Sequence, residues 1–141
     1  MANAGIYHLF VYGSLRSGFQ SPAYDYISRF FELVGPATAC GRLYDLGSYP
    51  AGIPSEGEDR IVGELYQIKA ESEFSWAIGQ LDDYEGVDPE EGETALYRRA
   101  ITRIRYAGGD MAAWIYWYNG DVTGTPRIDS GDLLSYLNSK K

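Results

Sequence analysis

Two short stretches of the chain carry residue types that can act on a bound molecule. The first is Leu81-Asp82-Asp83-Tyr84-Glu85-Gly86. Counting back from Glu85, the apolar residues Leu81, Ile78 and Phe74 stand four, seven and eleven positions earlier. That is the spacing of one helix face. Glu85 thus extends an apolar stripe, while Asp82 and Asp83 are expected to point away from it. A carboxyl on a buried face loses hydration, which raises its pKa towards the range where it takes up and releases a proton near neutrality. The alternative for the same residue is a helix-end carboxylate that swings out to water or pairs with an arginine. The second stretch is Gly13-Ser14-Leu15-Arg16-Ser17-Gly18, directly after the apolar run Ile6 to Tyr12. Gly13 lets the backbone turn sharply and leaves the following amides free, a compact seat for a carboxylate or a developing oxyanion. The alternative is an ordinary glycine turn.

Other chemistries fail on residue count or spacing. His8 is the single histidine and lies inside the first expected strand, which argues against a Ser-His-Asp site. Gly13 to Gly18 has the glycine spacing of a phosphate-binding loop, but Phe19-Gln20 stand where the lysine and hydroxyl residue belong. The acidic residues from Asp82 to Glu93 lack the alternating pattern of a calcium loop and read as a solvated stretch. A lone Cys40 excludes an internal disulfide and a cysteine metal cluster.

The elements that must position the two stretches follow from composition and periodicity. At 141 residues and 45% hydrophobic, the chain has the size of a single domain, expected to span 1–141. Thirteen tyrosines favour strands and a lined pocket over a helical bundle. A net charge of −8 argues against nucleic acid or an anionic membrane as partner. With no leader or membrane span legible, a cytoplasmic location is expected. Ile6 to Tyr12 and Arg60 to Ile68 read as strands, and Pro22 opens a short helix after Ser21. Extended chain is expected from Leu33 to Tyr44 with a break at Gly35-Pro36, and a loop from Leu46 to Asp59. Glu71 to Glu85 is the central helix. Leu96 to Tyr106 and Met111 to Tyr118 form a hairpin across Ala107-Gly108-Gly109-Asp110, with Tyr97, Arg99, Ile101, Arg103 and Arg105 on one face. A last helix covers Ser130 to Leu137. The sum is an α+β fold: a small, curved, mixed but mostly antiparallel sheet or barrel with short flanking helices.

Four segments together resemble a known family. Tyr12-Gly13-Ser14-Leu15, then Leu43-Tyr44-Asp45 with Tyr49-Pro50-Ala51, then Val62-Gly63-Glu64-Leu65-Tyr66, then Leu81-Asp82-Asp83-Tyr84-Glu85-Gly86 with Tyr97-Arg98-Arg99 occur in the order of the gamma-glutamylcyclotransferase-like superfamily. The short chain is most similar to its small bacterial and gamma-glutamylamine branch. The resemblance implies a barrel-like α+β domain with a pocket at its mouth. It implies an enzyme that cyclises a gamma-glutamyl amine or peptide to 5-oxoproline and a free amine, without cofactor or metal. In that reading Glu85 is the general acid and base, the Gly13, Ser14 and Leu15 amides hold the glutamyl head or the oxyanion, and Tyr12, Tyr97 and Tyr116 line the substrate. At least one of those hydroxyls is expected to bond the substrate or Glu85. Two other classes stay open: an inactive small-ligand or peptide-binding module on the same fold, and an interaction protein using Trp114, Trp117 and Tyr118.

Overall fold

The computed structural model describes residues 6–13, 22–46, 50–55, 57–85 and 97–139, with backbone alone at 22–24, 84–85, 134 and 138–139. Strand β1 (His8–Val11) is covered on both sides. Leu9 and Val11 belong to one apolar cluster, Phe10 and the following Tyr12 to another. A continuous apolar run is what a strand with two buried faces requires. Helix α1 (Pro22–Phe30), β2 (Phe31–Asp45), β3 (Pro50–Pro54) and β4 (Arg60–Ile68) follow. A 3₁₀ turn at Glu71–Glu73 leads into α2 (Phe74–Glu85). Then come β5 (Tyr97–Tyr106), β6 (Gly109–Tyr118), β7 (Arg127–Ile128) and α3 (Leu133–Ser139).

Five strands close into a barrel in the order β2, β4, β1, β6, β5. The last returns to the first where Thr38 faces Arg105 and Ala39 faces Ile104. Among the described residues the pairings are antiparallel except β1 with β6, where Leu9 faces Trp114. Side chains alternate between the two sides of this sheet. Phe10, Leu43, Ile61, Leu65, Ile104 and Ile115 belong to the inner cluster. On the outer side, α1 and α2 lay Ile27, Phe74, Ile78 and Leu81 over Leu9, Val11, Trp114 and Tyr116. Helix α2 thus stands against the barrel wall on the stripe read from its sequence. The β5–β6 hairpin turns through Ala107 and Gly108, whose φ angles of 53° and 82° are those of a tight two-residue turn.

Two segments differ from expectation, each for a reason in the pairing. β2 does not break at Gly35-Pro36. It absorbs them in a bulge, with the register against β4 shifting between Leu33 and Gly35. The stretch expected as a loop from Leu46 to Asp59 contains β3. Among the described residues this strand pairs with β2 alone, so Pro50 and Pro54 sit at an edge where a missing N–H is tolerated. The described part of the chain after β6 is anchored to the barrel. Ile128 and Leu133 join the inner cluster, and the Gly131 carbonyl accepts from the Val62 N–H at 2.7 Å. Ser21, the expected cap of α1, lies outside the described residues.

Candidate functional site

Helix α2 is held to the barrel by Phe74, Ala77, Ile78 and Leu81, all buried at helical spacing. Asp82 comes next, about 100° further around the helix. It was expected to face away, and that expectation is overturned: Asp82 is buried, with 6% of its surface exposed. The reason is a matched partner on the adjacent sheet face. Arg99 of β5 donates from Nε to Asp82 Oδ1 at 2.7 Å and from its terminal nitrogen to Oδ2 at 3.0 Å. Tyr116 of β6, directly opposite Arg99 in the hairpin, donates its hydroxyl to the same Oδ1 at 2.8 Å. A carboxylate is tolerated away from water when paired and hydrogen-bonded in this way. The guanidinium lies 4.4 Å from the centre of the Trp114 ring. The Trp114 indole donates to the Ile6 carbonyl at 2.9 Å. Asp83 points to solvent, as expected.

The end of the barrel where β1 and β6 finish brings several candidates together. The Tyr12 hydroxyl donates to the Tyr116 carbonyl and accepts from the Gly52 N–H at 3.2 Å. Gly52 is required there, because a Cβ would stand 2.6 Å from Tyr12 Cζ. A Cβ on Gly13 would stand 3.1 Å from Cγ of Pro50. The Tyr97 hydroxyl donates to the Pro50 carbonyl, and its ring meets Tyr118 edge-on at 5.7 Å. Strand β3 is thus gripped by Tyr12 and Tyr97, while Tyr116 reaches from β6 to α2. The expected hydroxyl bond to Glu85 falls on a side chain outside the described residues; the described hydroxyl bonds run from Tyr116 to Asp82 and from Tyr12 and Tyr97 to β6 and β3 backbone.

Of the residues singled out from sequence, Tyr12, Gly13, Tyr97 and Tyr116 share this region. Ser14 and Leu15 lie outside the described residues. Glu85 is the last residue of α2, one turn beyond Asp82, and its side chain lies outside the described residues. Arg98 is exposed and has no carboxylate partner among the described residues. Sequence reasoning missed Asp82 and Arg99 as a pair. The available signal was an aspartate on the shoulder of an apolar stripe, together with an arginine on the strand face shared with Tyr97 and Ile101.

Trp114 and Trp117 are buried and Tyr118 is half-buried, which removes them as an exposed interaction surface. Among the described residues no three His, Cys, Asp or Glu side chains are placed to hold a metal ion. No described helix is long and apolar enough to cross a membrane. A shallow groove of about 310 Å³ bounded by Ile101, Arg103, Asp110 and Met111 lies nearer the hairpin turn and contains none of the candidate residues.

Comparison with known proteins gives a consistent result. A family model described as gamma-glutamyl cyclotransferase, AIG2-like, matches residues 9–135. The gamma-glutamylcyclotransferase family protein YtfP of Escherichia coli K12 is 31% identical over 127 residues, covering 89% of this chain and 95% of its own length. The solution structure of ytfP from Escherichia coli is similar with a TM-score of 0.61 at 29% identity, covering 92% of this chain and 98% of that one. An AIG2-like protein from Mus musculus shares the fold, with a TM-score of 0.65 at 22% identity over 90% of this chain and 88% of its own.

Proposed function

The chain belongs to the gamma-glutamyl cyclotransferase, AIG2-like family, and from that membership we propose that it cyclises a gamma-glutamyl amine or peptide, releasing 5-oxoproline and a free amine. One observation carries the assignment of roles. Asp82 already accepts three hydrogen bonds, two on Oδ1 and one on Oδ2, and is ion-paired with Arg99, which commits it to tying α2 to the barrel. Glu85, on the same stripe as Leu81 and one turn further towards the Gly13 end of the barrel, is then the carboxyl of α2 assigned to proton transfer.

A gamma-glutamyl compound contains its own nucleophile. Its α-amino nitrogen attacks the γ-carbonyl carbon, and a site that holds the two in contact gains the large effective molarity of an intramolecular reaction, about 10⁵ to 10⁸ M. Glu85 takes the proton that the amine loses as the new C–N bond forms. The carbonyl oxygen becomes an oxyanion, for which the amides of Gly13, Ser14 and Leu15 are the assigned donors. The old C–N bond then breaks, and Glu85 returns the proton to the leaving nitrogen. One carboxyl thus serves as base and then as acid. Tyr12, Tyr97 and Tyr116 shape the wall around the glutamyl head, with their described hydroxyl bonds fixing ring positions.

The test is release of 5-oxoproline, followed by mass spectrometry across gamma-glutamyl amines and dipeptides, for the chain and its Glu85→Gln variant. Turnover in the variant is expected to fall about 10²- to 10⁴-fold, with much smaller change in binding and no loss of melting temperature. Full activity with lowered stability would end the assignment of Glu85.

A further inference from the structure

The Asp82, Arg99 and Tyr116 cluster takes no part in the proton transfers assigned to Glu85, yet it grips the turn of α2 immediately before it. We propose that these three are positioning residues, which fix the end of α2 and with it the backbone that carries Glu85. The proposal rests on the role of Glu85 given above.

Helix ends fray, because the last carbonyls lack intrahelical partners. A base placed in a last turn needs an outside anchor. The two parallel bonds from Arg99 to Asp82 constrain direction as well as distance, where a single contact would let the helix end pivot. The anchor is itself held, since Arg99 lies on Trp114 and Trp114 is bonded to the Ile6 carbonyl just before β1. Tyr116 joins the two sides of the site. Its hydroxyl reaches Asp82, and its carbonyl accepts from Tyr12, the residue before Gly13. Glu85 lies three residues past Asp82, about 4.5 Å along the helix axis, so any tilt at Asp82 is carried to it. Stability alone explains the cluster poorly. Desolvating an aspartate and an arginine is costly, and an apolar pair of similar volume packs as well or better. Defined geometry is what the fork adds.

Three variants test this: Asp82→Asn, Arg99→Gln and the double change, which removes both charges and leaves neither unpaired. The kinetic assay uses gamma-glutamyl-alanine, or the fastest substrate of the screen above. Each single variant is expected to lose about 10²-fold in kcat with KM nearly unchanged, measured well below its melting temperature. The double variant is expected to regain melting temperature but not kcat. Amide hydrogen exchange over 83–85 is read in parallel and needs no substrate. It is expected to quicken about tenfold or more in Asp82→Asn, as local opening becomes easier. Wild-type kcat per folded molecule in the variants, or recovery of kcat together with stability in the double variant, would overturn the proposal. Unchanged exchange over 83–85 would overturn it as well. If the unaltered chain turns over no gamma-glutamyl compound, the proposed function fails on that result, while exchange still judges the anchor.

Discussion

Two aspartate–arginine clusters in this molecule look alike in their contacts and differ in their surroundings. Asp82 takes a two-point contact from Arg99, and their side chains are 8% and 17% exposed. Asp59, just before β4, takes Arg42 Nε at 2.9 Å on one oxygen and Arg127 on the other, with side chains 32%, 47% and 37% exposed. Both clusters tie separate elements together: α2 to the β5–β6 hairpin in one case, β2 and β7 to the loop before β4 in the other. At Asp82 a phenol supplies a further donor and an indole covers the cation. At Asp59 water and ions compete for every group. Low local dielectric makes the first cluster expensive to break, whereas solvent screening makes the second nearly interchangeable with hydration. An ion pair is informative about a site when its surroundings would punish its absence.

The largest expected effect follows from emptying one side of the buried cluster. Asp82→Ala leaves the Arg99 guanidinium without its carboxylate beneath α2. Breaking one partner of a buried pair costs about 3–5 kcal/mol, which lowers the melting temperature by about 10 °C or more in a chain of this size. Asp59→Ala in the same scan is expected to shift melting far less. Equal shifts would break the comparison. Tyr116→Phe sharpens it, by deleting a single hydroxyl while the ion pair stays. A hydrogen bond to a charged group is worth about 1.5–3 kcal/mol, so urea unfolding of this variant is expected to fall between the two aspartate variants.

The same contrast explains how much was legible in the sequence. The stripe of Phe74, Ile78 and Leu81 and the Ala107-Gly108 turn depend on neighbours within a few residues, and short-range periodicity reports them. The burial of Asp82 depends on Arg99, seventeen positions on, and Tyr116, thirty-four positions on. No local pattern carries that. Strand β3 was hidden by its own prolines, because edge position is a property of the sheet and not of the segment. Barrel closure rests on the short contact of Thr38 and Ala39 with Arg105 and Ile104, a non-local pairing with no signature of its own. The Gly13 and Glu85 stretches were picked out by chemistry and order along the chain, and Gly52 only by the ring it admits.

The smallest effect is expected at Asp59, and pH gives it a sign. Hydrogen bonds from Arg42 and then Arg127 hold its carboxyl below the ordinary value of 3.8. A carboxyl whose folded pKa is depressed binds its proton more weakly in the folded chain than in the unfolded one. Its ionised form therefore adds stability above the unfolded pKa, and that contribution is lost as pH falls through the folded value. For Asp59→Asn, the gap in melting temperature from the unaltered chain is expected to be small and constant from about pH 5 to 8, where the carboxylate is fully ionised in both states. It should close progressively below about pH 4, and it should shrink at neutral pH when salt is raised to about 1 M. Asp82→Asn, compared in the same series, should keep most of its gap in salt, because screening barely reaches a pair beneath a helix. A salt-insensitive gap at Asp59, or a salt-erased one at Asp82, would mean that the two clusters feel the same solvent and that burial is not what separates them.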